Sequence, residues 1–311
     1  MKRSSRAGRL TQLERNQRTT GIFFILPSLV LCAIFMVVPL INVIRYSLTD
    51  WDGLSKTYNF VGLYNYMHLH EIEGFGEMML ATVTFAIGVT AITIIVSFLA
   101  ALALDKRGRD RLPRGLMRAL WFFPALLSGA VVGILWRIMY NYNNGVINKI
   151  ITSAGLPAVN WLETRGVTNI AIIIGAAWVQ IGLCVVVFLA GLQSIPQEMY
   201  EAASIDGATK GRQFLSITIP LISPVIFYNL VTQLVQAFQE FNGPYIITNG
   251  GPRNATTLIS VIVYNTAFKD YKVGMSSAMA WVMFVIVMVL TVIAFVSQKK
   301  WVYYSDDDGR G

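Results

Sequence analysis

Asn229, Gln233, Gln236 and Glu240 recur at i, i+4, i+7 and i+11 of one apolar run. At 100° per residue they fall within an arc of about 60° on one helix face. Phe227, Leu230, Val231, Leu234 and Phe238 take the opposite side. Amides and acids are costly in lipid, so such a line faces a cavity or the interior of a helix bundle. It serves one of two ends: hydrogen bonds that hold helices together, or donors and acceptors for an uncharged, hydroxylated solute. Gln180 of the preceding run adds an amide, and Trp136, Tyr140 and Trp178 supply flat apolar surface. The basic residue placed to meet an anion is Arg137, near the end of its run. A second polar group, Glu198, Glu201 and Asp206, lies between two apolar runs and offers carboxylates to basic groups on a partner.

The elements that must carry these residues follow from composition. Of 311 residues, 55% are hydrophobic and 14% charged, and the mean hydropathy is +0.56. That is too apolar for an ordinary soluble domain and reads as a polytopic, all-α membrane protein. The net charge of +8 does not signal nucleic-acid binding, because the basic residues flank apolar runs instead of forming a face. Gly21 to Ile44 is long enough to cross a bilayer core of roughly 30 Å and is expected to be a retained first span. Further spans are expected at Met78 to Leu104, Leu116 to Tyr140, Asn169 to Gln193, Ile217 to Glu240 and Ser276 to Gln298.

Lysine and arginine in the connections orient the spans. Lys2, Arg3, Arg6, Arg9, Arg15, Arg18, Lys106, Arg107, Arg109, Arg111, Arg114, Lys210, Arg212, Lys299, Lys300 and Arg310 fall on one side, and Arg45, Lys56, Lys149, Arg165, Arg253, Lys269 and Lys272 on the other. The first set is expected to be cytoplasmic, with both termini and the loop holding Glu201. The outer connections, near residues 45–77, 141–168 and 241–275, carry turn signals such as Asn143-Asn144-Gly145 and Asn249-Gly250-Gly251-Pro252. They also carry Trp51, Tyr64, Tyr66, Trp161 and Tyr271, either membrane-interface anchors or a docking surface for a soluble receptor.

Within the Glu201 loop, Pro196 suits the first turn of a helix, Gln197 to Ile205 reads as one short helix, and Gly207 permits a sharp turn. Thr209 to Ser216 reads as a second short segment leading to Pro220, which is placed to bend the next helix. The order Glu201-Ala202-Ala203, Asp206-Gly207-Ala208, Phe214, Ile217, Pro220 and Pro224 resembles the "EAA" loop of permease subunits in binding-protein-dependent ATP-binding-cassette (ABC) importers, with Ile219 where leucine is commoner. Phe60-Val-Gly-Leu-Tyr-Asn-Tyr66, Gly250-Gly-Pro252, Tyr264 with Ala267-Phe268, and Gly274 with Ser277-Ala-Met279 and Trp281 look like segments of the sugar-permease branch typified by the maltose and glycerol-phosphate importers.

The resemblance implies a type I importer transmembrane domain of six helices in a bacterial cell (inner) membrane. Residues 1–20 would be a basic cytoplasmic N-terminus, 21–44 the first transmembrane helix, 45–77 an outer loop, 78–298 a five-helix permease core with coupling loop 195–216, and 299–311 a cytoplasmic tail. Glu201, Ala202, Ala203, Asp206, Gly207 and Ala208 would couple to the ATPase. Gln180, Asn229, Gln233, Gln236, Glu240, Trp136 and Tyr140 would line the sugar's path. Implied partners are a second homologous permease chain, two ATP-binding subunits and an extracellular or periplasmic solute-binding protein, besides membrane lipid.

The chain is not expected to be an enzyme. It has no G-x-x-x-x-G-K-[ST] loop, so ATP and Mg belong on the partner subunits and no cofactor is expected here. His68 and His70 lack a second ligand cluster for a metal, and Cys32 and Cys184 read as inert thiols. The rival reading is a secondary active transporter of a polar solute, which needs titratable groups within the membrane. Glu240 is the sole acid in the second half of the membrane region. The charge asymmetry makes a direct forecast: cysteines introduced at Ser4 and Ser305 resist a membrane-impermeant thiol reagent on intact cells, and one at Ser55 reacts. Labelling of either terminus from outside overturns the orientation.

Overall fold

The computed structural model describes residues 12–105, 114–252 and 254–304. The basic residues expected at Lys2 to Arg9, Lys106 to Arg111, Arg253 and Arg310, and the acidic Asp306 to Asp308, lie outside them. Among the described residues, five helices are long and apolar enough to cross a membrane: α1 (Thr20–Ser47), α2 (Phe75–Leu104), α6 (Val167–Ser194), α8 (Lys210–Phe238) and α10 (Val273–Gln298). Between them lie the pair α3 (Gly115–Leu126) and α4 (Gly129–Met139), then α5 (Val146–Ser153), α7 (Gln197–Ile205) and α9 (Ile259–Phe268). Five expected spans therefore stand, their ends extended by at most three residues, except that α8 starts seven residues earlier than expected, at Lys210, and stops at Phe238, short of Glu240.

The span expected at 116–140 needs correction. It is two helices bent by 102° at a short break. Pro124 ends the first in a 3-10 turn, and Ser128 starts the second in extended conformation, its Oγ accepting from Val131 N at 3.4 Å. With the pair counted as one broken span, the total is six.

The segment expected as an outer connection at 241–275 is also more than a loop. A π-helical turn at Pro244–Thr248 and the ten-residue helix α9 fold back against the bundle. Thr256, Leu258, Ile259 and Val261 are buried there. Buried backbone needs internal partners. Thr256 Oγ1 donates to Gly251 O at 2.6 Å, and Thr257 Oγ1 to Gly250 O at 3.0 Å. The first N–H of α9, on Ile259, donates to Thr82 Oγ1 of α2 at 2.9 Å.

Helices α2 and α6 pack along their length, with α8 against both. Two apolar clusters stack within this trio. One gathers Phe85, Val89, Trp136, Tyr140, Ile172 and Phe238, and the other Ala101, Leu104, Cys184, Phe188, Leu192 and Ile222. Helix α1 stands apart: its most apolar stretch has no buried residue, and its packing on α10 is made mainly by Val38–Ser47. Two aromatics of the connections expected on the outside, Trp161 and Tyr66, are half-buried. Trp161 Nε1 donates to Asn148 Oδ1 at 3.0 Å and Tyr66 OH to Ser47 Oγ at 2.7 Å. The turn after α1 is pinned by Asp52, whose carboxylate accepts from the Ser55 hydroxyl and from the Ser55 and Leu54 amides, which holds its pKa down to about 2.

At Gly182 the backbone of α3 passes so close to α6 that a Cβ would collide with the Trp121 carbonyl and Phe122 Cα. Gly182→Val should therefore destabilise the protein by about 1 to 3 kcal/mol, the usual cost of overpacking. Gly115→Ala, which meets nothing within 4 Å, should be neutral or mildly stabilising. Thermal unfolding of the purified variants reads both. Equal midpoints would show that this helix crossing carries no constraint.

Candidate functional site

Helix α7 forms at Gln197–Ile205, the residues expected. Pro196 precedes it, Glu198 sits in its first turn, and Gln197 Nε2 bonds Glu201 Oε1 at 2.9 Å across one turn. Its end is closed by a pair of bonds, Gly207 N to Ser204 O at 3.1 Å and Ala208 N to Ala203 O at 2.8 Å, a Schellman arrangement that needs a left-handed residue. Gly207 supplies it at φ +75°. The chain then reverses into α8, where Thr209 Oγ1 accepts from Arg212 N.

The second short segment expected at 209–216 is not separate. It is the start of α8, continuous through a π-helical turn at Phe214–Thr218. Pro220 therefore follows a widened turn instead of bending the helix start. A π turn shifts the hydrogen-bond register and takes up the bond that proline cannot make.

Two bonds tie α7 to α8: Tyr200 OH with Thr218 Oγ1 at 2.9 Å, and Gln213 Nε2 with Ser204 Oγ at 2.9 Å. The outer face of this knob is bare. Glu201, Ala202 and Asp206 are exposed, Ala203 and Ala208 half-buried, and Ile205 is 87% exposed. A carboxylate rim around an exposed isoleucine on a short helix has the chemistry of a protein-binding surface.

The second feature is a cavity of about 330 Å³ between α4, α6 and the end of α8. Gln180, Gln236, Gln239, Glu240 and Asn242 give it polar walls, and Val179, Leu183 and Phe241 apolar ones. Gly129, Gly133 and Gly175 thin the α4 and α6 sides. Gln180 is buried, and its Oε1 has no hydrogen-bond partner among the described residues. Glu240 is held by the Gly243 amide on Oε1 at 3.1 Å and by Ser260 Oγ on its backbone carbonyl at 2.5 Å.

The polar stripe is split. Gln236 and Glu240 reach the cavity, whereas Asn229 and Gln233 are buried away from it. Asn229 Nδ2 donates to Val225 O of its own helix at 3.0 Å, and Gln233 Nε2 to Cys184 Sγ of α6 at 3.1 Å. Gln233 thus ties α8 to α6, while Asn229 is satisfied within α8. The aromatic platform is corrected too. Trp136 and Tyr140 stack on each other in the core, with Trp136 packed beneath Gly175, and Tyr140 OH donates to Ala171 O at 3.0 Å. Phe241 is the ring on the cavity wall, stacked on Tyr245 at 4.8 Å. Gln239 was missed because it sits off the arc of the stripe, and Asn242 because it lies beyond the periodic run. The signal available was the polar string Gln239-Glu240-Phe241-Asn242-Gly243 at its end.

Residues 93–301 match the family model described as binding-protein-dependent transport system inner membrane component. The chain is 34% identical over 284 residues to the trehalose/maltose transport system permease protein MalF of Thermococcus litoralis, covering 91% of this chain and 95% of that one. It is 33% identical over 279 residues to the sn-glycerol-3-phosphate transport system permease protein UgpA of Agrobacterium fabrum, covering 89% and 94%. A chain in the crystal structure of a bacterial alginate ABC transporter, complexed with an alginate pentasaccharide-bound periplasmic protein, superposes with a TM-score of 0.77 at 20% identity, covering 94% of this chain and 98% of that one.

The split stripe separates two kinds of variant. Gln233→Ala leaves a buried helix contact unfilled and should lower stability by about 1 to 3 kcal/mol. Gln236→Ala, on an exposed position, should stay within about 0.5 kcal/mol. Thermal unfolding of the two variants side by side decides this, and equal losses would show that both residues belong to the packing.

Proposed function

The chain belongs to the family of binding-protein-dependent transport system inner membrane components, the multi-pass permease subunits of ABC importers, and from that premise we propose that its cargo is a neutral sugar or oligosaccharide. The observation that carries the choice of cargo is the cavity lining. Its polar groups are amides and one carboxylate, and among the described residues no lysine or arginine lines it. A phosphorylated or carboxylated cargo would meet Glu240 with no countercharge, and like charges a few ångströms apart repel strongly where water is scarce. Hydroxyl groups instead find donors and acceptors on Gln180, Gln236, Gln239 and Asn242, with Phe241 for a C–H face. The name of the trehalose/maltose relative fits this chemistry better than that of the glycerol-phosphate relative.

The remaining parts follow from the same premise. The chain performs no hydrolysis: ATP and Mg are handled by two ATP-binding subunits. The exposed α7 knob with Glu201, Ala202, Ala203, Asp206, Gly207 and Ala208 docks on one of them from the cytoplasm, where both termini also lie. A second homologous permease chain completes the path, and a solute-binding protein delivers sugar to the opposite side.

The test is uptake by vesicles containing the complex assembled with its partner subunits, with receptor and sugar supplied. Uptake should require ATP and survive a protonophore, which a gradient-driven carrier would not. Gln236→Ala should weaken sugar affinity by about 1 to 3 kcal/mol, or roughly five-fold to more than a hundred-fold, per assembled complex. Gly207→Pro, impossible at φ +75°, and Glu201→Lys should leave assembly in the membrane intact and uncouple hydrolysis from uptake. Unchanged uptake in Gln236→Ala moves the sugar elsewhere, and normal receptor-stimulated hydrolysis with normal uptake in both loop variants removes α7 from the coupling path.

A further inference from the structure

A crevice of about 210 Å³ lies between α3 and α6, lined by Arg118, Gly182, Val186, Leu189, Ala190 and Gln193 among others. Its chemistry is uneven: an aliphatic slot along α6, with one cation and one amide. The slot spans the twelve residues from Gly182 to Gln193, about 16 Å of helix. Arg118 is half-buried, and its Nε is shielded from solvent with no hydrogen-bond partner among the described residues. Leaving a guanidinium N–H shielded and unpaired costs free energy that a bound anion would recover.

Position narrows the ligand. Arg118 lies one turn from the start of α3, and Gln193 one residue from the end of α6, just before the α7 knob. Both therefore sit at the membrane level of the lipid headgroups on the knob side. Leu116 and Leu120, at 60% exposure each, present an apolar surface beside the crevice, as does Val186 on α6. A soluble anion has no use for such flanks, whereas a phospholipid uses them along its chain. We propose that this crevice binds an anionic phospholipid, its phosphate on the Arg118 guanidinium and Gln193 and one acyl chain along Gly182, Val186 and Ala190. Arginine suits the task, since its planar fork meets phosphate oxygens in pairs and its stem lies comfortably against aliphatic surface. Basic pockets between transmembrane helices take lipid headgroups in this manner.

This inference is independent of the cargo, and its test does not use transport. The complex assembled with its partner subunits is placed in nanodiscs of equal phosphatidylglycerol and phosphatidylcholine and released into mild detergent, and the lipid retained per complex is read by native mass spectrometry. The wild type should retain phosphatidylglycerol over phosphatidylcholine by about ten-fold, the value of one charge-assisted contact. Arg118→Gln should abolish that preference and Arg118→Lys should keep most of it. Ala190→Leu fills the slot without touching the charge and should lower retention of both lipids, while Lys299→Gln on the same side should change nothing. Equal preference in wild type and Arg118→Gln overturns the site. Displacement of the retained lipid by millimolar inorganic phosphate reassigns the guanidinium to a soluble anion and also overturns it. Poor assembly of Arg118→Gln with unchanged lipid preference per complex gives the crevice to a neighbouring chain, with the same consequence. Should Arg118→Gln not assemble at all, Ala190→Leu decides, and undiminished retention in that variant rejects the proposal.

Discussion

A chain this apolar is governed by one constraint: where water is absent, every backbone N–H and C=O must find its partner inside the protein. Long helices satisfy it automatically, and the irregular segments show what it demands elsewhere. The break between α3 and α4 is closed by a 3-10 turn and by a Ser128 cap. The stretch from Gly250 to Ile259 folds into the interior because threonine hydroxyls and Thr82 of α2 take up its polar groups. Two of the π-helical turns end two residues before a proline, Ala33–Val37 before Pro39 and Phe214–Thr218 before Pro220. A widened turn is the local means of keeping a proline within an unbroken helix.

These interruptions are also what build the cavity. An unbroken helix over 116–140 would present only side chains to α6 and α8. The 102° bend instead brings the glycine-rich start of α4 beside the polar end of α8. Gly129 and Gly133 face Asn242 and Ile246 so closely that any Cβ would displace them, the small-residue spacing that permits close helix approach. Amides and a carboxylate at the end of α8 are then exposed to a space bounded by thin walls. Opening that space needs no polar group to be pulled out of a packed helix face.

How much of this was legible in the sequence divides along the same line. The long helices, the α7 boundaries and the glycine turn at 207 follow from hydropathy and local turn chemistry, which act within a few residues. The bend at 124–128 also had local signals, Pro124 and the Ser128-Gly129 pair, but an apolar run of the right length outweighed them. Helix α9 fell to the same bias. Ten mostly apolar residues are too few to cross a bilayer and read as a connection, although that length equally describes a buried core helix. The polar stripe was read correctly as one face. Its division was invisible, because periodicity reports that a face is polar and not what stands opposite each turn. Cys184 stands opposite Gln233, and open space opposite Gln236.

The continuity of α8 constrains how the proposed coupling would work. This helix has 29 residues, about 43 Å of rise. It begins where Gln213 and Thr218 bond the α7 knob and ends one residue before Gln239 and two before Glu240 at the cavity. In the proposed coupling, a force on α7 would reach the cavity end along one continuous helix. The place along that helix least constrained by regular bonding is the π turn at Phe214–Thr218, next to the knob. Beyond that turn the packed section of α8 is fixed to α6 by the bond from Gln233 Nε2 to Cys184 Sγ. A ligand shifts such a two-state system only through contacts that differ between the states. The groups able to differ are thus the ones left exposed at the two ends of α8, the knob face around Ile205 and the amides around Gln236, and not the residues buried between them.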